Sequence, residues 1–286
     1  MTKTSKLVTG GHTQVAAVGK VFSRAGEPEV ILRNCSFDIQ PGKLNVLIGP
    51  SGSGKSTLVN LIAGYTTPSV GEVVIDGKTV TGPGSDRMVV FQETALFPWM
   101  NLLDNVAFGP IQSGMARDEA RKRAQELLKK VGLAGFEQRY PEQISGGMQR
   151  RAEVARALIK RPKVLLLDEP FRGLDHMSRG LMQEYFLQLF EDEGITTLFV
   201  TSEVDEAILL ADRVIVLSYK PTAVKAILDV DLPRPRTFHM QTLPRFAELK
   251  EYTLQLLYEE AMKGFVQGTA ASTEAGRLMV AQSAAH

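Results

Sequence analysis

The 286-residue sequence has one cysteine, Cys35, and one tryptophan, Trp99. A lone thiol cannot close an internal disulfide, so nothing points to an oxidising compartment, and Cys35 reads as a small buried hydrophobe. Charge of one sign is also lacking: 33 basic against 32 acidic side chains leave a formal charge of +1. That balance offers no general attraction for nucleic acid or anionic lipid, and no nucleic-acid partner is expected. Long apolar runs are missing too. The greasiest stretches, such as Val164 to Leu167, are strand-sized, well short of the roughly 18 to 20 residues that cross a bilayer. Met1 to Gln14 is polar and has no apolar centre of the kind found in a secretory leader. A cytoplasmic protein is therefore expected, with residues 1–14 as a flexible N-terminus. No internal repeat is present.

Five short β-rich runs are there instead, ending at Ile48, Phe91, Leu167, Val200 and Leu217. Brief, nearly unbroken apolar runs suit strands covered on both faces, so a parallel sheet in an α/β domain is predicted. Between the second and third runs, Ala120, Ala124, Leu127, Leu128 and Val131 recur at helical spacing, and Gly132 ends that helix. A mostly helical insertion over about 102–159 therefore interrupts the core. LPRPR at 232–236 is a proline-broken segment that cannot continue a central ladder, which closes the domain near Arg236. Beyond it, Leu243, Phe246, Leu249, Leu256, Leu257 and Met262 predict an amphipathic helix within a C-terminal extension over 237–266, packed on its own domain. Ala, Ser and Gly dominate residues 267–286, where a disordered tail is expected.

The chemistry-bearing segment follows the first run. Gly49, Pro50, Ser51, Gly52, Ser53, Gly54, Lys55, Ser56 and Thr57 satisfy G-x-x-x-x-G-K-[ST], between an apolar run and a helix-compatible stretch. Glycines let the backbone wrap so that successive N–H groups face phosphate oxygens, Lys55 adds a charge, and Ser56 offers a hydroxyl to Mg²⁺. The run KVLLLDEP delivers Asp168 and Glu169 to a strand end, where α/β ligand sites form. One carboxylate, Asp168, suits the hydrated metal, and Glu169 suits a general base for attacking water. Ile144 to Gln149 reads ISGGMQ, with Ser145 and the N–H groups of Gly146 and Gly147 at a helix start forming an anion site. Read alone, Ser-Gly-Gly is equally a capped turn.

In this order the P-loop, ISGGMQ and LLLDEP resemble the ATP-binding cassette (ABC) family, over approximately Val15 to Arg236. The resemblance implies a RecA-like P-loop core with an antiparallel β subdomain and the helical insertion. It also implies ATP and Mg²⁺ as ligands and a head-to-tail pair of cassettes, each ATP lying between one P-loop and the partner's Ser145, Gly146, Gly147, Met148 and Gln149. Gln92 matches the glutamine that senses Mg²⁺ and the attacking water, Asp175 in FRGLD matches the aspartate that communicates between sites, and Phe22 lies where an adenine-stacking aromatic is usual. The family's switch histidine is replaced by Ser202 in LFVTSEVDEA. Serine donates a hydrogen bond but carries no charge. Glu169 then supports hydrolysis at reduced rate, or the subunit works beside a partner with complete residues. His176 reads as a surface histidine.

Leu96, Phe97, Trp99 and Met100 cluster after Gln92, and an apolar groove there would accept a partner helix. By the resemblance, this region receives the coupling helix of a membrane permease. FQETALFPW, VDEAILLADRVIVLS and LPRPR look most like importers of nitrate, sulfonate, taurine or bicarbonate, whose solute is delivered by a periplasmic or extracellular binding protein. The ATPase would then sit on the cytoplasmic face of the inner (plasma) membrane. Cassettes tied to urea or guanidine use are the alternative, and a weakened cassette in a heterodimeric pair is a further one. A soluble cassette protein acting on DNA or ribosomes would carry paired cassettes, long insertions or a basic surface. A small-molecule kinase has no use for ISGGMQ.

Overall fold

The computed structural model describes residues 10–24 and 26–283, with side chains through Val266 apart from Arg24. Two strands open the chain, β1 (Thr13–Arg24) and β2 (Glu27–Ile39), followed by β3 (Leu44–Ile48) and helix α1 (Lys55–Ala63). Then come β4 (Val70–Ile75), β5 (Lys78–Thr79), β6 (Arg87–Val90), α2 (Leu102–Gln112), α3 (Arg117–Lys130) and α4 (Gly146–Leu158). The remainder is β7 (Val164–Asp168), α5 (His176–Glu193), β8 (Thr196–Thr201), α6 (Val204–Leu210), β9 (Arg213–Leu217), β10 (Val224–Asp229) and α7 (Pro244–Ser283).

The main sheet runs β10-β9-β3-β8-β7-β6, with every pair parallel except β10 against β9. Its central strands β3 and β8 are buried at every position, because the insertion helices with α5 and α6 cover one face, and α1 with the second sheet covers the other. This is why they read as unbroken apolar runs. Beside it, β2-β1-β4-β5 form an antiparallel sheet. Cys35 on β2 is fully buried there, and burial pushes its thiol up to about 11. It is an inert core group at neutral pH.

Helices α2, α3 and α4 are the insertion between β6 and β7. Asn101 caps α2 by accepting from Asp104 N at 2.8 Å. Ala120, Ala124 and Leu128 form the buried stripe of α3, and Gly132, at φ +66°, takes the left-handed turn that stops it.

Several expectations need correction. Thr13 and Gln14 are not part of a flexible arm: they pair with Ile39 and Asp38 on one side and Ile75 and Val74 on the other. Residues 1–9 lie outside the described residues. The sheet has a sixth strand, β10, which its half-covered antiparallel edge position hides from a search for continuous apolar runs. LPRPR is indeed outside the ladder, but Arg236 is buried and donates to the carbonyls of Leu209, Ala211, Val230 and Leu232, clamping the end of α6. The backbone is helical to Ser283, where composition alone predicts a disordered tail. Alanine is the best helix former, and no proline follows Pro244 to break the ladder. The start of α7 packs on the domain as expected, with Phe246 and Leu249 in the main core.

Candidate functional site

The phosphate-type loop spans the gap between β3 and α1. Gly54 sits at φ +75° as the residue before the helix and supplies no side-chain cap, so the first N–H groups of α1 remain available to an anion. A Cβ on Gly54 would meet Ile31 Cγ2 at 2.9 Å, and one on Gly49 would meet Ser53 Oγ at 2.8 Å. Both glycines are therefore required by close packing. Ser53 Oγ is buried with no hydrogen-bond partner among the described residues, an arrangement that fits an oxygen-rich ligand in the cradle.

Lys55 is almost buried and donates to the Gly49 and Pro50 carbonyls at 2.9 and 3.1 Å, with Glu169 Oε1 at 3.9 Å. Burial lowers the pKa of its ammonium, opposed by the charges of Glu169 and Asp168. Asp168, at the end of β7, is hydrogen-bonded to the Ser56 side chain. Burial raises its carboxyl, against the pull of that bond and of Lys55. A divalent cation would remove the burial penalty, so Ser56 and Asp168 fit Mg²⁺ as a hard, oxygen-only pair.

Glu169 takes φ +45°, a conformation costing about 1–3 kcal/mol for a residue with a side chain. Its N–H holds to Val200 O at 2.9 Å, which ties the turn to β8, and its Oε2 accepts from Arg172 Nη1 at 2.9 Å. Phe22, Ile31, residues 51–57, Gln92, Glu169 and Arg172 line a single cleft of about 340 Å³. A second cleft of about 170 Å³ adjoins through Glu169 and Arg172 and adds Phe171, Arg179, Thr201, Ser202, Glu203 and Glu206.

The ISGGMQ residues are not among those lining either cleft. Ser145 caps α4, accepting from Met148 N at 3.4 Å, and Ser145 and Gly146 are exposed. Gln149 Nε2 is engaged with Pro141 O at 2.8 Å. Asp175 is likewise exposed and caps α5 through the N–H groups of Met177 and Ser178.

Comparison with known proteins decides the family. A family model described as ABC transporter matches residues 32–172. An uncharacterised ABC transporter ATP-binding protein, MJ0412 of Methanocaldococcus jannaschii, is 42% identical over 250 residues, 87% of this chain and 92% of that protein. This chain belongs to the ABC transporter family. The nitrate transport protein NasD of Klebsiella oxytoca is 42% identical over 255 residues, covering 87% and 97% of the two chains. Among solved structures, the dimeric post-hydrolysis state of the ATP-binding cassette MJ0796, bound to ADP and Pi, superposes with a TM-score of 0.67 at 30% identity. It covers 77% of this chain and 100% of that one. ATP binding and hydrolysis by this ABC chain are thereby supported by both sequence and fold.

The aromatic segment after Gln92 divides in two. Leu96 is 5% exposed and belongs to the core, so the expectation of Leu96 in a contact surface is corrected. Trp99 is 69% exposed and stacks on half-buried Phe97, with centroids 5.4 Å apart. Phe108 meets Phe97 edge-on, and the Arg156 guanidinium lies 4.2 Å above the Phe97 ring.

Sequence reasoning passed over Ile31, Arg172, Arg179 and Glu206. Arg172 was visible three residues after Glu169, but only the structure shows that its guanidinium turns back to that carboxylate. Arg150 was also missed. It donates to the carbonyls of Phe91 and Gln92 at 2.5 and 2.6 Å and pairs with buried Glu153 at 2.6 Å, fastening α4 to the cleft-lining segment.

Proposed function

We propose that this chain is the ATP-hydrolysing subunit of an importer for a small polar solute of the nitrate, sulfonate, taurine or bicarbonate kind. It works as a pair of cassettes beneath a separate permease, peripheral to the cytoplasmic face of the inner membrane. The carrying observation is the convergence of Phe22, the P-loop, Gln92 and Glu169 on one cleft, with the ISGGMQ helix start exposed elsewhere. Among the described residues, no helix is long and apolar enough to cross a membrane, in keeping with peripheral attachment. The naming of NasD for nitrate transport supports that solute class.

In this reading Phe22 stacks on the adenine, and the N–H groups of residues 51–57 with Lys55 hold the phosphates. Ser56, Asp168 and Gln92 would hold Mg²⁺, which would supply positive charge against that developing on the phosphates. Glu169 accepts the proton of the attacking water as its oxygen bonds to the terminal phosphorus and the bridging P–O bond breaks, releasing ADP. Ser145, Gly146, Gly147 and Met148 of a second subunit close over the phosphates, Asp175 communicates between sites, and Phe97 with Trp99 receives the permease. A solute-binding protein acts only through that permease.

The test is Mg²⁺-dependent ATP turnover of the purified chain across a concentration series. Turnover per subunit that rises with concentration and is lost in Glu169→Gln supports the reading. Turnover independent of concentration and of Glu169 overturns it. A second reading, a weakened cassette beside a complete partner, is favoured by the placement of uncharged Ser202 in the cleft next to Glu169. A gain of tenfold or more in Ser202→His supports that version.

A further inference from the structure

We infer that Arg172 is a catalytic residue of this site: its guanidinium holds Glu169 in the open cleft and transfers to the terminal phosphate of bound ATP. There it supplies the positive charge that Ser202 cannot. This rests on the ATPase reading above and adds a residue that the motifs do not assign.

Three observations carry it. The first is position. Arg172 and Glu169 are the two residues shared by the nucleotide cleft and the cleft containing Ser202, so Arg172 stands where the two meet. The second is anchoring. Phe171 is 1% exposed and packs against the rings of Phe186 and Phe199, and Arg172 N donates to Glu169 O at 3.1 Å. The backbone is thereby fixed, whereas the side chain is 63% exposed and has room to turn. The third is charge. Lys55 and Arg172 flank Glu169 at 3.9 and 2.9 Å, but Lys55 is nearly buried and tied to two loop carbonyls. Arg172 is the cation that can move.

The terminal phosphate carries more negative charge than a single carboxylate and, like it, presents paired oxygens to the planar fork, so the guanidinium gains by transferring to it. Once Arg172 leaves, Glu169 is free to accept a proton from water, so substrate arrival and activation of the base become one event. Phosphoryl transfer spreads negative charge over the equatorial oxygens, where an arginine is effective. Arg179 is the competing candidate. It lines only the second cleft, donates to Leu174 O at 3.3 Å and lies 3.8 Å from Glu203, which holds it away from the P-loop side.

The experiment uses the full chain with Arg172→Ala, Arg172→Lys, Ser202→His and the Arg172→Ala/Ser202→His pair. Turnover is expected to fall about a hundredfold in Arg172→Ala, less in Arg172→Lys, and to recover at least tenfold in the pair. Equilibrium binding is measured in a Glu169→Gln background, where Arg172→Ala is expected to weaken ATP about tenfold and leave ADP unchanged. A structural role would move both nucleotides together. Equal effects on ATP and ADP, or turnover of Arg172→Ala within twofold of the parent or above it, overturn the inference. Failure of the ATPase reading looks different: the unmodified chain then binds no ATP, which overturns both.

Discussion

Helices α1 and α4 both begin at glycine-rich turns, and each offers free N–H groups to an anion. The turn before α1 lies in a walled cleft, with Phe22 and Ile31 from the antiparallel sheet, Gln92 after β6, and Glu169 and Arg172 after β7. The turn before α4 has Ser145 and Gly146 exposed, and Ser145 Oγ answers its own Met148 N–H. The same backbone device is thus finished in one place and half-made in the other. What separates them is the wall: charged and aromatic groups brought together at the carboxyl ends of β3, β6 and β7 and from the antiparallel sheet. Under the proposed function, the exposed half-site is the one that a second ATPase subunit completes. The two are not independent, because Arg150 and Glu153 of α4 bond to the carbonyls of Phe91 and Gln92 and to Ala95 N.

The largest effect is expected from the walled region. Glu169→Gln should lower turnover about a thousandfold, the scale for loss of a general base, while ATP still binds. Steady-state phosphate release and equilibrium dialysis measure the two quantities. Retained turnover would place the base elsewhere and dissolve the contrast. Next comes the exposed turn: Ser145→Arg should lower turnover about a hundredfold without weakening ATP binding to the isolated subunit. Mixing it with inactive Lys55→Ala should restore turnover, since one composite site then has an intact P-loop and an intact ISGGMQ. No recovery on mixing would mean that the two half-sites never meet.

The link between the regions is open to a stability measurement. Arg150→Ala leaves Glu153 buried without its partner and should cost about 3 kcal/mol, read as a lower urea midpoint. Arg150→Lys keeps a charge but cannot reach both carbonyls and Glu153 together, so it should recover only part of that loss. An unchanged midpoint in Arg150→Ala would show that α4 and the Gln92 segment are fastened by packing alone.

Local signals explain what was legible. The parallel strands β3, β7, β8 and β9 were readable because burial on both faces writes an unbroken apolar run, and the P-loop because glycine spacing reports a backbone shape. β10 was not, since this half-buried edge strand has Lys225 near its start and Asp229 at its end, which leaves no such run. Residues 267–283 misled because low complexity resembles disorder, although alanine favours helix equally. Leu96 and Trp99 stand three residues apart with the same apolar character, and nothing local says that one is core and the other surface. The Arg150 side chain reaches from α4 to the Phe91 and Gln92 carbonyls, and that of Arg172 turns back onto Glu169, directions that sequence spacing does not encode.

The smallest effect concerns the wall itself. Glu206 lies in the second cleft, almost fully buried, held by Gln183 Nε2 at 2.9 Å and by the Thr201 side chain. Burial raises its carboxyl above the usual value of 4.5, against those two hydrogen bonds. A group whose folded value is raised contributes stability fully below its unfolded pKa and loses it as pH rises through the folded one. The protein therefore tolerates Glu206 best when it is protonated. Glu206→Gln keeps an acceptor for Gln183 and removes the ionisation, so its urea midpoint should match the parent below pH 4.5 and exceed it increasingly as pH rises, at unchanged m-value. If the midpoint difference does not grow with pH, the cleft is open to water, and the contrast between a walled and an open helix start rests on the P-loop side alone.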